Sequence, residues 1–330
     1  MTVRFLAGVF SAATFFFATA AVAQSDTTAD SLEPPPHVSP WPDLSTGQTQ
    51  QQRAISYQLG PEMQRGMSAR AMLADRRRLD AALASLTPHR RGQIDAYVLA
   101  AALDSDPVFA REAREAGRVL SRRYDAEGRT LVLAGPDGED DSLPQGSITS
   151  LTIALAQFAE LMDPAEDVLV LFTTSHGAQL GLAYHDGDNG YGILSPQRLR
   201  SILAELGLER RILILNACYA GVFVPHLQGD DTAIATAAAH NRSSFGCQPD
   251  NDWTYFGDAL VNRELRQPQT FTEAVRAAQV HIVGWELADN LVPSLPQLSI
   301  GRNVAGWLNQ LEARMPDTAS EPVGRPAVSD

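Results

Sequence analysis

The chain has 330 residues and is 44% hydrophobic, enough for one large domain with extensions or for two domains around a sizeable core. A formal net charge of −13 and a pI near 4.9 exclude nucleic acid as a natural partner, because neutralising phosphates takes an excess of Lys and Arg. Acidity otherwise bears on solubility and not on fold.

In residues 1–23, Arg4 precedes an apolar run from Phe5 to Phe17, and Ala21-Val22-Ala23 forms a small-residue site. This is the pattern of a secretory signal peptide cut after Ala23. The alternative, an uncleaved anchor, meets an apolar run short of the ~20 residues a span needs. No cysteine lies at the cleavage site to carry a lipid, and no other stretch is apolar enough to cross a bilayer. The mature chain is therefore expected to be soluble, periplasmic or secreted, with no membrane span left. Residues 24–52 are Pro-, Ser- and Gln-rich and read as a disordered leader. Residues 53–88 turn to Ala, Leu, Met and Arg, which favours one or two helices ended by Pro88. The run Arg76-Arg77-Arg78 reads as a solvated helix face and not as an anion site.

Residues 89–315 change rhythm. Strands are expected at 93–102, 129–135, 167–175, 210–218 and 232–239, all continuously apolar. Helices are expected between and after them. One carries Phe109, Ala113, Ala116 and Leu120 on one face. Others cover 147–162 with Ser147 as cap, 195–207 with Ser195 as cap and Pro196 in the first turn, 254–265, and 270–283 with Thr270 and Glu273 at capping-box spacing. A last helix is expected near 304–314, and 316–330 reads as a loose polar tail. Unbroken apolar strands separated by single helices predict an α/β three-layer sandwich, a mostly parallel sheet flanked by helices on both faces.

In such sheets, sites form outside the carboxyl ends of the strands. One strand ends in TTSHG, with His176 and Gly177; the next ends in NACYAG, with Cys218. If the two strands are neighbours, an imidazole and a thiol project from one edge, the minimal base and nucleophile for acyl transfer. Gly177 lets a carbonyl approach the backbone, and the amides of Gly177 and Cys218 are candidates for an oxyanion hole. Two cysteines in an exported chain also read as one disulfide, Cys218 to Cys247, which would silence such a nucleophile. HDGDNGYG at 185–192 lacks the ligand spacing of a calcium loop and reads as a turn. GPDGEDD at 135–141 lacks the Gly-Lys-Ser/Thr of a phosphate loop, and His281 and Trp285, four apart, read as packing. No metal or cofactor is expected.

A strand ending Ser-His-Gly, then about forty residues on a strand ending Ala-Cys-x-x-Gly, resembles the legumain-like cysteine peptidases and their caspase-fold relatives, and is most similar to bacterial exported members. The segment AIATAAAHNRSSFGCQPDNDWTYFGDAL at 233–260 extends the resemblance. It implies a caspase-like fold, a thiol endopeptidase acting on peptide or protein substrates, Cys218 as nucleophile and His176 as its partner. It also implies a primary pocket lined by Asn216, Ser243, Ser244 and Asp250, with Asp252 competing for the last place, and a second cysteine that stays free. Legumains carry a glutamate where this chain has Asn216, and AAALDSDPVF lacks their Asn and Arg, so the pocket is expected to differ. Two further readings stay open: a transpeptidase of the same fold, and a non-catalytic binding or assembly protein that keeps it.

Overall fold

The computed structural model describes residue 38 and residues 43–135 and 142–328. The expected signal peptide, most of the leader and residues 136–141 lie outside the described residues. In chain order the elements are α1 (Gln50–Gln58), β1 (Glu62–Gln64), α2 (Ala69–Ala84), β2 (Ala96–Ala102), α3 (Pro107–Arg123), β3 (Thr130–Leu133) and α4 (Ile148–Leu161). Then come β4 (Val168–Thr174), β5 (Gly177–Ala178), β6 (Gly181–Asp186), β7 (Gly190–Leu194), α5 (Pro196–Glu205) and β8 (Arg211–Asn216). The chain continues with α6 (Val224–Leu227), β9 (Thr232–Thr236), a π-helical stretch (Gly257–Arg263), α7 (Phe271–Ala288), β10 (Gln297–Ile300) and α8 (Val304–Glu312).

The main sheet has the order β10-β9-β8-β4-β2-β3, parallel except for the edge strand β10. The interior strands β2 and β4 are buried along their whole length, which is why their sequences run apolar without alternation. Alternate residues still serve opposite faces. Ala96, Val98 and Ala100 pack with α3, the π-helical stretch, α7 and α8, while Tyr97, Leu99 and Ala101 pack with α2, α4 and α5. This is the three-layer sandwich the sequence predicts. Each fully buried aliphatic or aromatic side chain in it contributes about 1.5–3 kcal/mol relative to exposure.

The expected caps form. Ser147 accepts from the Ser150 amide, Ser195 from the Arg198 amide, and Thr270 with Glu273 closes a capping box. Four features differ from the sequence reading. Residues 177–194 fold into the antiparallel strands β5, β6 and β7, too short and Gly-rich for their alternation to register. The segment expected as a helix at 254–265 runs largely as a π-helix, in which Asp258 is fully buried and bonded to Asn262 and Arg263. Helix α1 begins at Gln50, inside the stretch read as leader, because Thr49 and Gln52 form a capping box there. β1 then joins β7 as an antiparallel partner, so the N-terminal extension is stitched into the small sheet.

The fourth is the tail. It does not hang free: the Trp253 indole donates to Val323 O at 2.8 Å, and the amides of Val323, Arg325 and Ala327 donate to Asn262, Asp252 and Asp258. Within α2, exposed Arg76 pairs with Asp80, in keeping with a solvated face, while the more buried Arg78 pairs with Asp75.

Candidate active site

β4 and β8 are hydrogen-bonded neighbours in parallel register, with Thr174 opposite Asn216. Their carboxyl ends deliver His176 and Cys218 two residues later, side by side on one edge. Gly177 lies against the same turn: a Cβ there would collide with the Cys218 carbonyl and press on the Ala217 Cβ. The chain after Cys218 bends sharply. Tyr219 sits at φ +59°, a left-handed conformation uncommon for a bulky residue, and its amide is held by Arg242 O at 2.8 Å. Strain of this kind, of order 1–3 kcal/mol, persists where surrounding structure imposes it, and active sites are where it concentrates.

His176 Nε2 lies 3.1 Å from Asp106 Oδ2. Asp106 is the N-cap residue of α3, yet its side chain makes no cap bond; it faces the imidazole instead, while Pro107 opens the helix without an amide to satisfy. Phe109 meets the imidazole edge-on at 5.1 Å. Behind Asp106, Asp104 is 5% exposed, accepts from the Asp106 amide at 3.1 Å, and has its carboxyl pushed up to about 6 by burial. The Asp106 bond raises the His176 pKa against the opposing effect of burial, with Asp104 and the Cys218 thiolate adding to it. Sequence reasoning misses Asp106, because nothing in the local sequence links it to a histidine 70 positions on.

Cys218 Sγ receives the Ser244 amide at 3.3 Å and lies 3.5 Å from Ser244 Oγ. Both cysteines are free thiols, and the Cys247 thiol donates to Cys218. That bond is the largest influence lowering the Cys218 pKa to about 5; burial opposes it, and Ser244 and His176 reinforce it. The proton is retained on Cys247, whose pKa is pushed up by the same bond and by burial. The lowered thiol and the raised imidazole both favour the thiolate–imidazolium form of the dyad.

The residues expected in the pocket separate into three groups. Ser243 and Asp250 are exposed. Ser244 is buried and touches the thiol. Asn216 is 1% exposed and turned inward, so it faces the interior and not an open pocket. Its amide donates to Glu112 Oε2 at 2.8 Å and to Thr254 Oγ1 at 2.9 Å. Asp252 is held by Arg111 at 3.5 Å and by the Arg325 guanidinium and amide. Arg111 also donates to the carbonyls of Pro249 and Asn251, and Arg325 to that of Asp250. Two arginines, one from α3 and one from the tail, thus pin the loop 246–253 that carries Asp250.

Asp104, Asp106 and His176 each bring one ligand atom within 4.8 Å of the others. Hydrogen bonding within the cluster accounts for this approach. His281 stacks on Trp285 and bonds Glu264 at 2.8 Å, a packing arrangement.

Asp106→Ala is expected to lower kcat/KM about tenfold to a hundredfold. Removing the carboxylate lowers the His176 pKa, so the imidazolium is lost at lower pH. The alkaline limb of the kcat/KM profile should then move to lower pH, which a pH–rate series on the variant reads directly.

Residues 149–305 match the model of the Peptidase C13 family. No curated protein matches the chain. Among solved structures, caspase-1 from Spodoptera frugiperda is similar at 15% identity and a TM-score of 0.42, over 66% of this chain and 88% of that one. A second, drICE, is similar at 10% identity and a TM-score of 0.35, over 66% of this chain and 96% of that one.

Proposed function

We propose that the chain is an exported, legumain-type cysteine endopeptidase that hydrolyses peptide bonds through a thioester. The observation that carries this reading is the placing of His176 and Cys218 at the paired ends of β4 and β8. The Cys218 thiolate attacks the scissile carbonyl carbon, and the oxyanion forms beside the Gly177 and Cys218 amides. The imidazolium of His176 gives its proton to the leaving amine as the C–N bond breaks. Water then attacks the thioester, His176 takes the water's proton, and the acid product leaves with the thiolate restored. Asp106 keeps the imidazole turned toward this work.

Specificity would come from the loop pinned by Arg111 and Arg325. Asp252 is engaged there, which leaves Asp250 as the acidic residue of the loop with an exposed side chain. A residue with hydrogen-bond donors before the scissile bond, asparagine or a basic side chain, suits such a pocket.

A peptide carrying a thiol-directed electrophile tests the reading. Under reducing conditions it should modify Cys218 with a half-maximal rate near pH 5, following the lowered thiol pKa. Cys247, held protonated, should stay unmodified. Peptide mapping that finds no adduct at Cys218 would favour the non-catalytic reading.

A further inference from the structure

The mechanism above leaves unused a wholly buried carboxylate bonded to both strand ends that carry the dyad. Glu112 of α3 is 0% exposed and has no cation among its hydrogen-bond partners. Its Oε2 accepts from Thr174 Oγ1 at 2.5 Å and from Asn216 Nδ2 at 2.8 Å; its Oε1 accepts from the Thr254 amide at 2.6 Å. Those three donors belong to three parts of the site. Thr174 stands two residues before His176, Asn216 two before Cys218, and Thr254 directly after the loop 246–253. The network closes on itself, since Asn216 Nδ2 also donates to Thr254 Oγ1, which in turn takes the Gly257 amide at 3.0 Å. Gly257 is part of the fit: a Cβ there would collide with Glu112 Oε1.

We propose that Glu112 is a positioning residue that gathers both dyad strand ends and the exit of the specificity loop onto one carboxylate, and that its ionised form holds the dyad in its working geometry. This rests on the peptidase reading above. The chemistry of the donors favours the anion. The Thr254 amide and the Asn216 Nδ2 can only donate, so a protonated Glu112 keeps its place only by reversing the Thr174 bond, its own O–H then donating to Thr174 Oγ1. Burial acts the other way and raises the carboxyl to about 7, with Thr174 and Thr254 opposing and the neighbouring Asp258 adding to the rise. Asp258 is itself bonded to Asn262, Arg263 and the Ala327 amide, and Cys247 also feels the Glu112 charge. The folded chain therefore holds this proton more tightly than the unfolded chain, whose carboxyl keeps the ordinary value of 4.5. Stability falls as pH rises from there through about 7, the same window in which the ionised, positioning form appears.

The test compares wild type, Glu112→Gln and Thr174→Val, with turnover expressed per titratable Cys218. In the wild type, kcat should rise through an ionisation near pH 7. In Glu112→Gln that ionisation should vanish and kcat at pH 8 should fall about tenfold to a hundredfold, with KM within about twofold. Thr174→Val, which removes one donor and keeps the carboxylate, should show a smaller loss in kcat, so the test stands even if Glu112→Gln fails to fold. A merely structural role would lower the titratable fraction and the melting temperature and leave the kcat profile per site unchanged; that result overturns the proposal. Iodoacetamide alkylation of Cys218 from pH 4 to 9 separates this from the peptidase reading. If the wild type does not turn over peptides but the variants shift the alkylation midpoint upward, only the peptidase reading fails. If the midpoints coincide in a chain without turnover, the positioning role fails as well.

Discussion

Cys218→Ala is expected to abolish peptide hydrolysis, by a factor on the order of 10⁴ or more, while the variant folds and melts within a few degrees of the wild type. The expectation follows from what the thiol does and does not hold together. Its sulfur contacts are with Ser244 and Cys247, and neither is a core contact whose loss would open the sheet. The chemistry has no substitute, because the sequence holds only one other cysteine and Cys247 is kept protonated. His176→Ala should cost nearly as much in kcat, since it removes the proton donor to the leaving amine and one of the influences that keep Cys218 ionised. The two losses should not add in the double variant, because the residues act as one unit. Turnover of a fluorogenic peptide by each purified variant, beside its circular dichroism melt, checks this; wild-type turnover by either single variant would remove the dyad assignment.

The parts of this site that sequence alone discloses are those that depend on local order along the chain. Continuous apolar runs mark β2, β4 and β8 because both sheet faces are covered, and the small residues after each strand end mark where His176 and Cys218 emerge. The parts it withholds are contacts between distant segments. Asp106 and His176 are 70 positions apart, Glu112 and Thr254 142 apart, and no periodicity connects them. Glu112 does leave a trace. It falls three residues after Phe109 and four before Ala116, inside the apolar stripe of α3, where a carboxylate demands partners. Read among the charged residues of AREAREAG it passes for a solvated face. Asn216, two before the proposed nucleophile, turns inward to a carboxylate that arrives from α3, a contact that its own sequence neighbours do not report. The tail escapes for a different reason. Its polar sequence reads as loose, yet backbone amides and carbonyls, which composition does not report, tie it to Asn262, Trp253, Asp252 and Asp258.

Gly177→Ala is expected to lower kcat on the order of 10²-fold with a smaller change in KM. The added methyl would drive into the Cys218 carbonyl and press against the Ala217 Cβ, neither of which is the free end of a flexible side chain. Relief must come from moving the backbone of 177 or of 217–218, and those two stretches carry the proposed oxyanion donors. A displacement of a few tenths of an ångström would leave peptide binding largely intact, because the loop 246–253 is fixed independently by Arg111 and Arg325. It would cost the transition state, where the donors must meet an oxygen bearing developing charge. The position is also confined by its pairing, since Gly177 faces Leu182 across β5 and β6 and the Ala183 amide donates to His176 O at 2.9 Å. Moving Gly177 therefore drags the residue that holds the base. Alkylation of Cys218 in Gly177→Ala should proceed at close to the wild-type rate, because the thiolate itself is supported by Cys247 and Ser244 and not by Gly177. Slow hydrolysis with normal alkylation is the signature of a damaged oxyanion site. Unchanged kcat would remove Gly177 from that role, and a parallel loss of alkylation would mean that the substitution had displaced Cys218 itself.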